Sequence, residues 1–97
     1  MTYEVYQGVE SFVFMPYSYT TESIKDFPKT WRDHYEKVYE GEIEGYEDDS
    51  DALELIFCKL NTRHPEGYKA RSLSVSDVVV INGRPYYCDI FGWKEIK

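Results

Sequence analysis

The sequence predicts an α+β fold: a mostly antiparallel sheet with one principal helix packed on one face. Three patterns carry this prediction. They are an alternating segment near the N-terminus, an amphipathic helical stripe in the middle, and an Asn-Gly turn between two apolar runs near the C-terminus. The 97 residues suit a single domain, residues 1–97. A hydrophobic content of 42% with 18% aromatic residues argues against a disordered chain.

The first two predicted elements are strands. Apolar and polar residues alternate over Thr2–Gly8, which favours a strand. The apolar run SFVFM at residues 11–15 predicts a second strand, which Pro16 closes.

The next segment carries mixed signals. Thr21 suits the cap of a short helical turn that runs through Asp26, and Pro28 interrupts any continuing helix. From Tyr35 onward a period of two fits better than a helical period, so residues 35–44 are predicted to form a strand.

Residues 51–60 form the clearest helix. Its buried stripe follows the i, i+3, i+4, i+7 spacing: Leu53, Ile56, Phe57 and Leu60. Ser50 or Asp51 is expected to cap the first turn, and Asn61 to end the helix. The loop at residues 61–70 then carries a basic patch, which either docks against acidic residues of the same chain or extends a binding face. The patch comprises Lys59, Arg63, Lys69 and Arg71.

The C-terminal hairpin is the best-determined element. Residues 77–81 and 84–90 flank Asn82-Gly83, the preferred pair for a two-residue type I′ turn. Because the missing N–H of Pro85 would point outward, the second strand is expected to be a sheet edge near that residue.

This turn fixes the register of the two strands. Val79 then faces Tyr86, and Ser76 faces Asp89. The helix stripe and the valine-tyrosine faces of the hairpin would form the core. A turn at Gly92 should lead into a short strand or tail with Trp93.

Charge is the first feature that bears on function. The chain has 18 acidic and 11 basic residues, a net charge of −7, and the acidic excess is concentrated between residues 40 and 54. A field of this sign repels phosphate backbones and attracts basic surfaces, so direct binding of nucleic acid is not expected. The alternative is an ordinary solvated surface. The residues predicted to bind a partner are Glu40, Glu42, Glu44, Glu47, Asp48 and Asp49.

A second cluster of polar residues invites a catalytic interpretation. Its members are Ser72, Ser74, Ser76, Asp77, Asp89 and Gly92. Serine catalysis needs a base within reach, and the sequence holds neither histidine near this motif. In the predicted register the two aspartates point to opposite faces, which argues against a carboxylate pair. Structural roles at a strand entry are therefore favoured over catalysis.

No cofactor or metal is expected. The two cysteines and two histidines match no zinc spacing, and the six glycines form no phosphate loop. The N-terminus lacks the basic start and apolar run of a signal peptide, and isolated cysteines suit a reducing compartment. A cytoplasmic location is the resulting expectation, and the oligomeric state stays open.

Two stretches carry a resemblance to a known family. RSLSVSDVV at residues 71–79 and YYCDIFGW at residues 86–93 resemble the YodL-like domain family, and the likeness extends over nearly the whole chain. Members occur mainly in bacteria, phages and conjugative elements, alone or within large proteins that such elements deliver. The resemblance implies a role in conflict between a mobile element and its host, and no established reaction.

Three functions follow as hypotheses. The first is a non-enzymatic inhibitor, carried by a mobile element, that blocks a CRISPR nuclease or restriction enzyme through the acidic surface. The second is a modulator of another host protein, cytoskeletal or regulatory, bound through a tyrosine-rich strand edge; ten of the residues are tyrosines. The third is a hydrolase or nuclease that uses the Ser/Asp motif.

Overall fold

The computed structural model describes residues 2–8, 16–62, 73–90 and 92–97, and it confirms the α+β class. Its described strands form one antiparallel sheet in the order β2-β1-β3-β4-β5. They are β1 (Thr2–Gly8), β2 (Tyr35–Glu42), β3 (Val78–Ile81), β4 (Arg84–Asp89) and β5 (Gly92–Glu95). The described helices are α1 (Tyr17–Ser23), α2 (Phe27–Thr30), a 3-10 helix (Trp31–His34) and α3 (Asp49–Thr62).

One face of the sheet, here called the aliphatic face, packs against α3. The predicted helix stripe supplies Leu53, Ile56 and Leu60, all buried, while Phe57 packs at the margin. From the sheet come Val5 and Val79, which are directly opposite in the β1–β3 ladder. Burying one such side chain contributes about 1.5–3 kcal/mol, so the buried stripe holds α3 against this face of the sheet.

The opposite face, here called the aromatic face, is covered by α1, α2 and the 3-10 helix. Its buried rings include Phe27, Trp31, Tyr35 and Tyr87. The ring centroids of Phe27 and Tyr87 lie 6.0 Å apart in an edge-to-face arrangement, a geometry that aromatic pairs prefer. Thr20, fully buried on α1, hydrogen-bonds the Tyr87 hydroxyl at 2.8 Å. Both faces of the sheet are thus covered, the second one by short segments rather than by a long helix.

The predicted hairpin turn is confirmed. Asn82 and Gly83 have φ angles of 53° and 76°, both positive as a type I′ turn requires. The ladder from Ile81–Arg84 to Val78–Tyr87 follows the predicted register.

The expectation that β4 forms a sheet edge is wrong. Strand β5 pairs with β4 from Tyr86 to Asp89, so β4 lies inside the sheet. The Ile96 amide still donates to the Pro85 carbonyl at 2.9 Å. Because Pro85 has no N–H to return that bond, the β4–β5 ladder ends there.

Several predicted helix boundaries also need correction. Helix α1 begins at Tyr17, directly after Pro16, so Thr21 lies within the helix rather than at its cap. Pro28 occupies the first turn of α2, where its missing N–H costs no helical bond. Asn61 continues α3 instead of ending it.

Asn61 has a different role. Its side-chain amide donates to the Leu73 carbonyl at 2.9 Å and accepts from the Leu73 amide at 2.7 Å. One asparagine thereby fastens the end of α3 to the chain that enters β3. The predicted strand at residues 11–15 and the arginines and second lysine of the basic patch, residues 63–71, lie outside the described residues.

Candidate functional site

The acidic segment runs along the end of β2 and the connection to α3. Ile43 is buried in the aliphatic core, so Glu42 and Glu44 on either side of it point towards solvent. Glu47 and Asp48 follow and are also exposed. We call Glu42, Glu44, Glu47 and Asp48 the acidic ridge. None of these four carboxylates forms an ion pair with a residue that the structure describes.

Asp48 also begins α3. Its carboxylate accepts the Asp51 amide hydrogen at 2.8 Å, and the Asp51 carboxylate accepts from the Glu47 amide at 3.1 Å. The cap is therefore Asp48, in place of the predicted Ser50 or Asp51. The bond from Asp51 satisfies an orphan amide hydrogen of the first turn, and the negative charges suit the positive end of the helix dipole.

Asp49, also predicted to bind a partner, is occupied within the fold. Its Oδ2 accepts from Arg84 Nε at 2.8 Å, from Arg84 Nη2 at 2.6 Å and from the Tyr86 hydroxyl at 2.5 Å. The Tyr86 hydrogen bond and then the Arg84 contact hold the pKa of this carboxyl below its usual value. The three side chains tie the start of α3 to β4.

Glu40 is engaged as well, although it remains exposed. Lys37 Nζ lies 3.0 Å from Glu40 and 3.3 Å from Glu4 across the β1–β2 ladder. The hydrogen bond to Glu40 raises the pKa of Lys37, which stays cationic. Such an exposed pair contributes little to stability, so Glu40 keeps the freedom to exchange partners.

The Ser/Asp motif forms a turn with a β-bulge. The Asp77 amide donates to the Ser74 carbonyl, and Ser76 has a positive φ of 81°. Both Ser76 and Asp77 lie opposite Cys88. The Ser76 amide donates to the Cys88 carbonyl, and the Cys88 amide donates to the Asp77 carbonyl, each at 2.8 Å. Two residues opposite one, the first in a left-handed conformation, define a G1-type bulge.

This bulge overturns the predicted pairing of Ser76 with Asp89. The extra residue moves Ser76 to a position opposite Cys88. Asp89 Oδ1 instead accepts from the Tyr17 amide at 3.0 Å and from the Ile90 amide at 2.9 Å. Asp89 therefore connects α1 to the end of β4.

Asp77 is fully buried and binds the chain that enters β3. Its Oδ2 accepts from the Ser74 amide at 2.8 Å and from Gln7 Nε2 on β1 at 3.3 Å. The Tyr35 hydroxyl donates to the carbonyl of buried Ser76. Ser72 lies outside the described residues, and Gly92 has a φ of 95° at the β4–β5 turn. Each described member of the motif thus has a position in which it supports the fold.

A groove that sequence reasoning missed lies between α3 and the β4–β5 hairpin. It encloses about 430 Å³, and its walls include Phe57, Trp93 and Cys88. Burial raises the pKa of the Cys88 thiol to about 12, so this cysteine is protonated and unreactive at neutral pH. Cys58, on the outer side of α3, is exposed. The sequence pattern assigned Phe57 to the buried stripe and so gave no signal for this groove.

Two patterns of residues bear on the described part of the chain, those of metal sites and those of membrane-spanning helices. No three acidic, histidine or cysteine side chains there come together as a possible metal site. Among the helices of that part, none has the length and apolar character to cross a membrane.

The fold and surface define a small α+β domain whose five described strands form an antiparallel sheet, with an acidic ridge at the β2 end. The sequence pattern of the YodL-like domain family matches residues 2–97, and the chain belongs to this family. No curated protein and no solved structure matches it.

Proposed function

We propose that this domain is a non-enzymatic inhibitor, encoded by a mobile element, that binds a nucleic-acid-targeting defence protein of the host. A CRISPR nuclease or a restriction enzyme is the expected target. The acidic ridge supports this proposal: four exposed carboxylates follow one another beside a buried isoleucine, and no described cation neutralises them. A basic groove that holds nucleic acid is complementary to such a surface.

The alternatives have less support from the described contacts. Ser76 and Asp77 are buried, and Asp89 accepts two backbone amides, so these three residues do not favour the hydrolase hypothesis. Most described tyrosines pack into the two cores, and Tyr19 is the exposed one among them. A modulator bound through tyrosines remains an outcome of the test below.

The test is inhibition of plasmid cleavage by an RNA-guided nuclease, measured with the purified domain at low and high salt. Glu42→Lys with Glu47→Lys should abolish inhibition. The matched control is Glu22→Lys with Asp33→Lys, which changes the net charge equally at exposed sites away from the ridge. Asp48 and Asp49 are left intact, because their replacement would disturb the start of α3.

We expect the unmodified domain to inhibit the nuclease in a salt-sensitive manner. The double variant at Glu42 and Glu47 should lose this inhibition, the control double variant should keep it, and the two should have nearly equal melting temperatures. If both double variants retained inhibition, the result would contradict the proposal that the acidic ridge binds the nuclease. If no inhibition occurs and the domain captures a cytoskeletal or regulatory protein irrespective of salt, the second hypothesis replaces the first.

A further inference from the structure

The two outer strands of the described sheet differ in kind. β5 has four residues, and such a short strand offers little to an incoming chain. β2 has eight residues, Tyr35–Glu42, and among the described strands it pairs with β1 alone. Its outer side therefore presents backbone groups that bond no described strand, which is the arrangement that strand addition uses.

The hairpin turn determines which backbone groups point outward. The pair that flanks a two-residue turn is hydrogen-bonded, so Ile81 directs its backbone towards β4. Tyr3, opposite Ile81 on β1, then bonds in the other direction, to Gly41 of β2. Because the direction alternates along a strand, Glu40 and Glu42 point their amide and carbonyl groups away from the sheet.

The side chains of Glu40 and Glu42 are both acidic, and Lys37 Nζ lies 3.0 Å from the Glu40 carboxylate. Glu40 and Glu42 are two residues apart, so both lie on the same face of the strand. An antiparallel strand bonded to their backbones would place its own residues directly opposite them. Opposite charges in such pairs are favourable, so the fitting segment has Lys or Arg at alternate positions.

The same charges exclude other occupants. In an antiparallel pairing of residues 39–42 with a second copy of this chain, glutamate would face glutamate on one face, which is unfavourable. A register shift between Val5 and Tyr6 leaves Val38 without a partner on β1, and such a bulge discourages long uniform pairing. Residues 40–42 are therefore better suited to a short basic strand than to the same residues of a second copy.

From these features we infer that β2 accepts an extended basic segment of the partner protein as an added antiparallel strand, bonded to Glu40 and Glu42. The inference rests on the proposed function, since it states how the edge of β2 beside the acidic ridge would bind the target protein. Backbone bonds would supply affinity, and the two carboxylates would select the sequence.

The first test uses a fluorescent octapeptide that alternates lysine and valine. A second peptide, N-methylated on the backbone nitrogens of its lysines, has the same charge and cannot donate those bonds. We expect the plain peptide to bind at least about tenfold more tightly in fluorescence anisotropy, because two or more backbone bonds are lost on methylation. Amide hydrogen exchange at Glu40 and Glu42 should slow in the complex.

The second test uses a matched pair of variants. Glu42→Pro and Glu42→Thr each remove one carboxylate, but Glu42→Pro alone also removes an amide hydrogen that points outward. The position ends β2, where proline at an edge is tolerated. Glu42→Pro should bind the plain peptide about fivefold more weakly than Glu42→Thr does.

The outcomes separate this inference from the proposed function. Equal binding of both peptides, or binding of neither, overturns strand addition and leaves the nuclease test to judge the acidic ridge. Methylation-sensitive binding by a domain that inhibits no nuclease supports strand addition and overturns the proposed target.

Discussion

The two faces of the sheet are covered by different kinds of side chain and by helices of different length. On the aliphatic face one helix of 14 residues, α3, covers branched side chains of β1 and β3. On the aromatic face α1, α2 and the 3-10 helix have four to seven residues each, and large rings fill the space. A short helix presents few side chains, so each must be large. The comparison shows that large aromatic rings on short helices can cover a sheet face that would otherwise need one long helix.

The largest expected effect comes from removing one anchor on each face. Phe27→Ala should lower the free energy of unfolding by about 3–5 kcal/mol, and Leu60→Ala by about 2–5 kcal/mol. Both side chains are fully buried. Urea denaturation of the two variants measures the difference. We expect the amides of α1 and α2 to lose their protection from hydrogen exchange in Phe27→Ala, because Phe27 is the buried residue of α2. Retained protection in that variant would contradict the role of Phe27 as the anchor of these short helices.

Gly41→Ala should have a smaller effect and tests the margin of the aliphatic face. A Cβ at Gly41 would lie 2.7 Å from the Tyr3 hydroxyl oxygen and 2.8 Å from a ring carbon of Tyr39. Overpacking of this kind costs about 1–3 kcal/mol, which thermal unfolding would detect. Gly83→Ala is a useful contrast, since nothing lies near its Cβ and its cost would come from the positive φ alone. An unchanged melting temperature in Gly41→Ala would contradict the close packing.

The smallest expected effect concerns the ion pair that ties α3 to β4. Because the Tyr86 and Arg84 contacts hold the pKa of Asp49 in the folded domain below its ordinary value, the ionised carboxylate stabilises the fold at neutral pH. Asp49→Asn should therefore cost about 1 kcal/mol near neutral pH, and the difference from the unmodified domain should shrink as the pH falls through the folded pKa. A difference that stays constant from neutral to acidic pH would contradict a role for the charge.

The aliphatic face was largely predictable from sequence. The stripe Leu53, Ile56 and Leu60 has helical spacing, and the turn at Asn82-Gly83 fixes the hairpin register because both residues favour positive φ. The boundaries of α3 were missed by two residues at each end, since Asp48 can cap as well as Ser50 can.

The aromatic face was not predictable in the same way. α1 and α2 are shorter than the window in which hydrophobic periodicity can be detected, and Phe27 and Trp31 come into contact with the sheet only through tertiary packing. The bulge at Ser76 also escaped prediction, because its positive φ is usual for glycine and unusual for serine.

The same limit applied to the acidic segment. Its charge was evident, but nothing local distinguishes Asp49, which binds Arg84 and Tyr86, from Glu47, which faces solvent. Long-range strand pairing decides which carboxylates a partner can reach. Patterns within a single helix or hairpin do not contain that information.

The central position of β1 has a consequence for the time course of folding. This strand comes from one end of the described chain, and β3, which pairs with it, comes from near the other. The sheet therefore cannot close until the late hairpin is available to receive residues from the start. Closing so long a loop carries an entropic cost that is paid before the contacts form, and domains dominated by such pairings fold slowly for their size. During synthesis, the edge of β1 that pairs with β3 would stay unpaired until the last quarter of the domain has been made.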